Sequence, residues 1–277
     1  MKRFLAISLR FLKLDNELRR ILPIDITMRG SKNMDMLIAG SNKIVGSAVT
    51  SHYKVRKTLL VCGILSALIW IGTDILASLL YEGYNYPLQP ISGLSSPDSP
   101  VRSLLNPLLI PYTVLKIAFA MGVWWSAGRK RTLRITASLL FAWGIGDLVA
   151  YFFPWKPNDS LLTINNIIHG ILSGGLPVLS FLLIIVFGAS ADGKWFRYYS
   201  YGTLLASFAA GGVMAVFGNL QIDGGVIPPW FGLTERINTY GFMLWMLAFA
   251  AILLRVKPSS SNLADRENII IPDAITS

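Results

Sequence analysis

Charge is scarce in this chain. Asp, Glu, Lys and Arg make up 14% of its 277 residues, against about 25% in soluble domains. Cysteine occurs once and histidine twice. The lone Cys62 excludes an intramolecular disulfide, and lying within an apolar run it says nothing of redox compartment. His52 and His169 are too few for a His-rich zinc site. HExxH, GxSxG, P-loop and CxxC motifs are missing, so neither a metal nor a cofactor is expected. No internal repeat stands out, which counts against an inverted-repeat transporter.

What fills the chain is apolar: hydrophobic residues make up 53% and mean hydropathy is +0.53. Six stretches of about 20 residues run Thr58–Tyr81, Pro107–Ala127, Leu133–Phe153, Leu161–Gly188, Ser200–Phe217 and Leu233–Leu254. Each is long enough to cross the roughly 30 Å hydrocarbon core as a helix. The fold class expected is an all-α integral membrane protein, a bundle of six transmembrane helices at 58–255. A tail of residues 1–57 and a shorter one of 256–277 flank it.

The net charge of +10 does not point to nucleic acid, because the basic residues gather at the ends of alternate segments. One side carries Lys43, Lys54, Arg56, Lys57, Arg129, Lys130, Arg131, Arg134, Lys194, Arg197, Arg255, Lys257 and Arg266. The other carries Arg102, Lys156 and Arg236. Thirteen against three puts both termini in the cytoplasm of a cell-membrane protein, with some attraction to anionic headgroups. The outer loops are then Glu82–Asn106, Pro154–Ser160 and Gly218–Gly232, and the inner ones Gly128–Thr132 and Ala189–Tyr199. Trp155, Pro228, Pro229 and Trp230 suit the outer interface; Trp124, Trp125 and Trp195 suit the inner one.

Met1–Ile21 carries an intermittent apolar stripe compatible with a short interfacial helix, and lacks the apolar run of a signal peptide. Met28, Met34 and Met36 offer later translation starts. Gly30–Ser51 and the stretch from Pro258 are polar and are expected to be disordered.

Ionisable residues inside the spans carry the functional signal. Asp74, Lys116 and Asp147 lie in the first three segments, His169 in the fourth, and Glu235 and Arg236 at the start of the sixth. A charge at mid-bilayer costs about 2.5–3.5 kcal/mol on insertion scales. Such residues are therefore expected to face one another in a polar cluster among helices 1 to 4, open toward the outside. Structural readings stand beside this. Lys116 with Asp74 or Asp147 can be an ion pair that only packs helices. Asp147 after Gly144 and Gly146 can cap a distorted turn, and His169 can hydrogen-bond a neighbouring helix. Glu235 and Arg236 fit a first-turn carboxylate and a snorkelling cation. Gly170 and Gly174 form a small-xxx-small face, with Ala206, Ala210, Gly211 and Gly212 spaced to receive it, and Pro177 predicts a kink.

The first outer loop reads Gly83-Tyr-Asn-Tyr-Pro-Leu-Gln-Pro-Ile-Ser-Gly-Leu94 and is followed by Asn106-Pro107. Phe153-Pro154, His169-Gly170 and Gly232-Leu-Thr-Glu-Arg-Ile237 follow in order. This series resembles the multi-pass membrane family catalogued as domain of unknown function 998, over about Thr58–Arg255. The resemblance picks out Tyr86, Pro90, Ile91, Ser92, Leu94, Pro154, His169, Glu235 and Arg236, implies a prokaryotic-type membrane protein and lends no reaction.

The function expected is binding of a lipid or small ligand in an outward-facing polar pocket, with membrane lipids as partners and no nucleic acid. Candidate contacts are Asp74, Tyr86, Ser92, Lys116, Asp147, His169, Glu235 and Arg236. One alternative is an intramembrane enzyme on lipid headgroups using Ser92, Asp147 and His169. Another is a cation- or proton-coupled transporter relaying through Asp74, Lys116 and Asp147.

Overall fold

The fold is that of a computed structural model of the chain. It describes residues 31–156, 158–160, 162–224 and 230–255, and no side chains at 31–49, 52 and 213–224. The expected interfacial helix at Met1–Ile21, Pro228, Pro229 and the tail from Pro258 lie outside the described residues.

Among the described residues there is helix and no strand. The elements are α1 (Ser31–Leu80), the single turn α2 (Ile91–Leu94), α3 (Arg102–Ala127), α4 (Arg131–Ala150), α5 (Ile164–Gly188), α6 (Lys194–Gly224) and α7 (Phe231–Arg255). Five helical stretches are long and apolar enough to cross a membrane: Tyr53–Leu80, α3, α4, α5 and α7. The chain divides into two compact units, 1–51 and 52–277; the contacts and the site described below lie in the second.

Several boundaries differ from the sequence reading for local reasons. Residues 31–51, expected to be disordered, are helical; no proline interrupts the chain between Pro23 and Pro87. The second span starts at Arg102, not Pro107, so Pro107 and Pro111 sit within α3. Proline removes a backbone donor without stopping the helix here. In α5 the stretch Gly170–Gly175 is a π-helix that leads into Pro177. Widening the turn relieves the clash of the proline ring with the preceding backbone. The distortion expected beside Asp147 is thus on α5, while α4 is helical through Ala150.

Connections alternate between two ends. Arg56 of α1 donates to Ser126 Oγ (3.2 Å) at the end of α3 and to Leu253 O (3.4 Å) at the end of α7. Thr132 and Ser190 hydroxyls join the α3–α4 and α5–α6 connections at 2.7 Å. These contacts define a basic end. At the opposite, clamp end, Asn158 donates to Asp98 at 2.9 Å, tying the α4–α5 connection to the one between α1 and α3.

Large apolar side chains stand on the outer surface while ionisable ones are buried beside an apolar core. Leu79 is 78% exposed and Phe152 75%, while Asp74 is 3%, Arg236 2% and Lys116 0% exposed. In lipid, association rests on close packing and hydrogen bonds. The core follows α7: Trp245 stacks on Phe249 at 4.8 Å and on Phe196 at 5.7 Å, and donates to Ser200 Oγ at 2.9 Å. Gly188 of α5 lies against the Trp245 ring with no room for a Cβ.

Candidate functional site

Residues 84–91 form a loop that docks onto the first turn of α7. Helix starts leave amides without intrahelical acceptors, and the loop supplies them: Gly232 N donates to Leu88 O (3.2 Å) and Leu233 N to Pro87 O (3.0 Å). Any Cβ at position 232 would collide with the carbonyls of Gln89 and Tyr86, so glycine is required for this approach. Glu235 reciprocates by accepting from Ile91 N at 2.7 Å, at the start of α2.

Arg236 is the centre of this clamp. Its Nε and Nη2 grip Asp74 of α1 at 3.0 Å each. Nη1 donates to Tyr86 O (2.9 Å), Gln89 O (3.2 Å) and Gly232 O (3.2 Å), while Nη2 also reaches Tyr84 OH (2.9 Å). The guanidinium lies 3.7 Å from the Tyr86 ring centroid, a cation–π contact. Tyr240, one turn further along α7, donates to Asp74 Oδ2 at 2.7 Å and meets Tyr86 OH at 3.1 Å. Every nitrogen of the guanidinium is engaged and both Asp74 oxygens are used. Burial pushes the Tyr84 phenol up to about 12, against the opposing pull of Arg236.

Lys116 forms a second, separate group. Its Nζ donates to Asp147 Oδ2 on α4 and to Tyr112 OH at 3.1 Å, with the Trp143 ring centroid 4.3 Å away. Lys116 is sealed, but the Asp147 side chain is 20% exposed, with the Tyr112 hydroxyl as a further partner. The single polar cluster expected among helices 1 to 4 is therefore corrected. Asp74 pairs with the last helix, and Arg236 is a buried bidentate partner, not a snorkelling interfacial cation.

His169 of α5 pairs its Nδ1 with Phe153 O at 2.9 Å. Its Nε2 has no partner among the described residues. Further along the same two helices, Gly146 lies against Leu176. Together these contacts set an antiparallel register that brings Asp147 level with Gly175. The π stretch Gly170–Gly175 thus runs beside residues 147–152, at the end of α4. The positions that a Cβ would take at Gly170, Gly174 and Gly175 have nothing within 4 Å. This corrects the expectation of a tight small-residue seam with α6. Gly170 and Gly175 are exposed, so the glycines border open space at the surface of α5, with a carboxylate level with one end and an imidazole at the other.

The family model for a protein of unknown function, DUF998, matches residues 64–252. The chain belongs to the DUF998 family. No curated protein and no solved structure matches it. The motifs that carried the resemblance occupy the clamp end of this DUF998 chain. Tyr86, Pro90, Ile91, Glu235 and Arg236 belong to the clamp; Pro154 O accepts from Asn165 at 2.7 Å. Ser92 lies in α2, with no hydrogen bond to Asp147 or His169 among the described residues.

Sequence reasoning missed Tyr84 and Tyr240 around Asp74, and Tyr112 and Trp143 around Lys116. Tyr240 and Tyr112 each stand four residues from the basic side chain they accompany, a spacing that was visible. Asn166 was missed too: it accepts from Lys156 N and donates to the carbonyls of Lys156, Asp159 and Ser160, ordering the α4–α5 connection.

Proposed function

We propose that this DUF998 protein crosses the cell membrane six times, with both termini and the basic end in the cytoplasm. It binds a lipid or small ligand from the outer half of the membrane on the glycine face of α5, between Asp147 and His169. The observation that carries the reading is the partly exposed Asp147 level with the open glycine face of the π stretch. A carboxylate and an imidazole acceptor in apolar surroundings suit a ligand headgroup bearing hydroxyl or amine donors. The charge asymmetry supports the orientation, and α6 supplies the sixth span.

Two features weigh against the other readings. Ser92 makes no hydrogen bond to Asp147 or His169 among the described residues, the contact that an acid/base mechanism needs. Asp74 and Lys116 belong to different hydrogen-bond networks, which leaves a proton or cation relay without its connecting step.

The test is native mass spectrometry of the protein released from nanodiscs of source-membrane lipid. Because Asp147→Asn also strands Lys116, the informative variants are Gly174→Leu, which covers the glycine face, and His169→Ala. The wild type is expected to retain a bound molecule that Gly174→Leu loses. Equal retention by all three folded proteins contradicts the proposal.

A further inference from the structure

Toward the basic end, on the face between α3 and α4, lies an open trough of about 330 Å³ lined by Ala120, Trp124, Trp125, Ala137, Ser138 and Phe141. Its floor is low because the small residues Ala120 and Ala137, each 2% exposed, meet there. Its walls are large apolar side chains: Trp124 is 48% exposed and Phe141 45%. The size falls within the range of small-ligand sites.

The adjoining α3–α4 connection and the first turn of α4 carry Lys130, Arg131 and Arg134, all exposed. The sequence from Ser103 to Gly146 holds no Asp or Glu, so neither α3 nor α4 places a carboxylate beside them. Arg134 is held in place: Nε and Nη2 donate to Gly128 O at 3.1 and 2.7 Å, and the guanidinium lies 5.7 Å from the Trp124 ring centroid. Its Nη1 keeps its donors for another acceptor.

We infer that this trough binds an anionic phospholipid, its phosphate on Arg131 and Arg134 and one acyl chain along Ala120, Ala137 and Phe141. Basic pockets at the cytoplasmic ends of membrane helices suit such headgroups, and Trp124 stands at headgroup level. A second copy of the chain fits the trough less well, because a two-fold contact here sets Lys130, Arg131 and Arg134 of one copy against the same cations of the other. The site stands apart from the glycine face of α5, and either can fail without the other.

The test reconstitutes the full chain in nanodiscs of equal phosphatidylglycerol and phosphatidylcholine and reads retained lipid by native mass spectrometry. The wild type should retain phosphatidylglycerol about fivefold or more over phosphatidylcholine. Arg131→Gln with Arg134→Gln should erase that preference, and Arg131→Lys with Arg134→Lys should restore most of it. Ser138→Phe, which fills the trough, should lower retention of both lipids while the protein keeps its thermal stability. Equal retention of the two lipids by the wild type overturns the inference. So does a preference that survives both the double Gln and the Ser138→Phe variants, or a dimer that forms with no retained phosphatidylglycerol.

Discussion

Replacing Arg236 tests the clamp where its interactions are densest. Arg236→Gln removes two 3.0 Å bonds to Asp74 and the donors to Tyr86 O and Gln89 O, and leaves Asp74 charged at 3% exposure. Deleting one partner of a buried pair costs about 3–5 kcal/mol. Asp74→Asn is milder at about 2–3 kcal/mol, because asparagine keeps an acceptor for the guanidinium and the loop carbonyls still bind it. The double variant strands no charge, so its cost should fall short of the sum by about 2 kcal/mol. Unfolding titrated with sodium dodecyl sulfate in mixed micelles measures each corner of the cycle. Limited proteolysis supplies a second readout: the loop at 84–91 should become cleavable in Arg236→Gln. Single-variant costs below about 1 kcal/mol, additive within about 0.5 kcal/mol, would refute the clamp as the tie between α1, the loop and α7.

The Lys116–Asp147 pair should respond asymmetrically. Asp147→Asn leaves a fully buried ammonium, whereas Lys116→Met leaves a carboxylate that is 20% exposed; the first should cost about 1 kcal/mol more in the same titration. Gly232→Ala must push the loop off α7 and should lower thermal stability, while Gly170→Ala, facing open space, should leave it unchanged or raise it by up to about 1 kcal/mol. Tyr84 should ionise late. A difference ultraviolet titration of wild type against Tyr84→Phe should show a phenol titrating near about 12. Since the unfolded value is about 10, the tyrosine's stabilising contribution is intact below pH about 10 and is lost as pH rises toward about 12. A Tyr84 value near about 10 would show the phenol to be solvated.

Five of the expected spans were legible because hydropathy and length alone define a membrane-capable helix, and the motifs at 83–94 and 232–237 marked the clamp before its geometry was known. Partner choice was not legible. Asp74 and Arg236 are separated by 162 residues, and nothing in local spacing distinguishes that pairing from Asp74 with Lys116. The glycines of α5 misled for a related reason. GxxxG states that close approach is permitted, not that a helix takes it up, and the π turn ahead of Pro177 opens the space instead. The start of α3 was misread because proline at a first helical position and proline within a membrane helix look alike in sequence.

The most direct measurement is an experimental structure of the protein in native lipid, read at the glycine face of α5. The account predicts non-protein density beside Gly170, Gly174 and Gly175, within hydrogen-bond distance of the Asp147 carboxylate or His169 Nε2. A face covered by α6, or by an acyl chain with no polar contact to either residue, would contradict it.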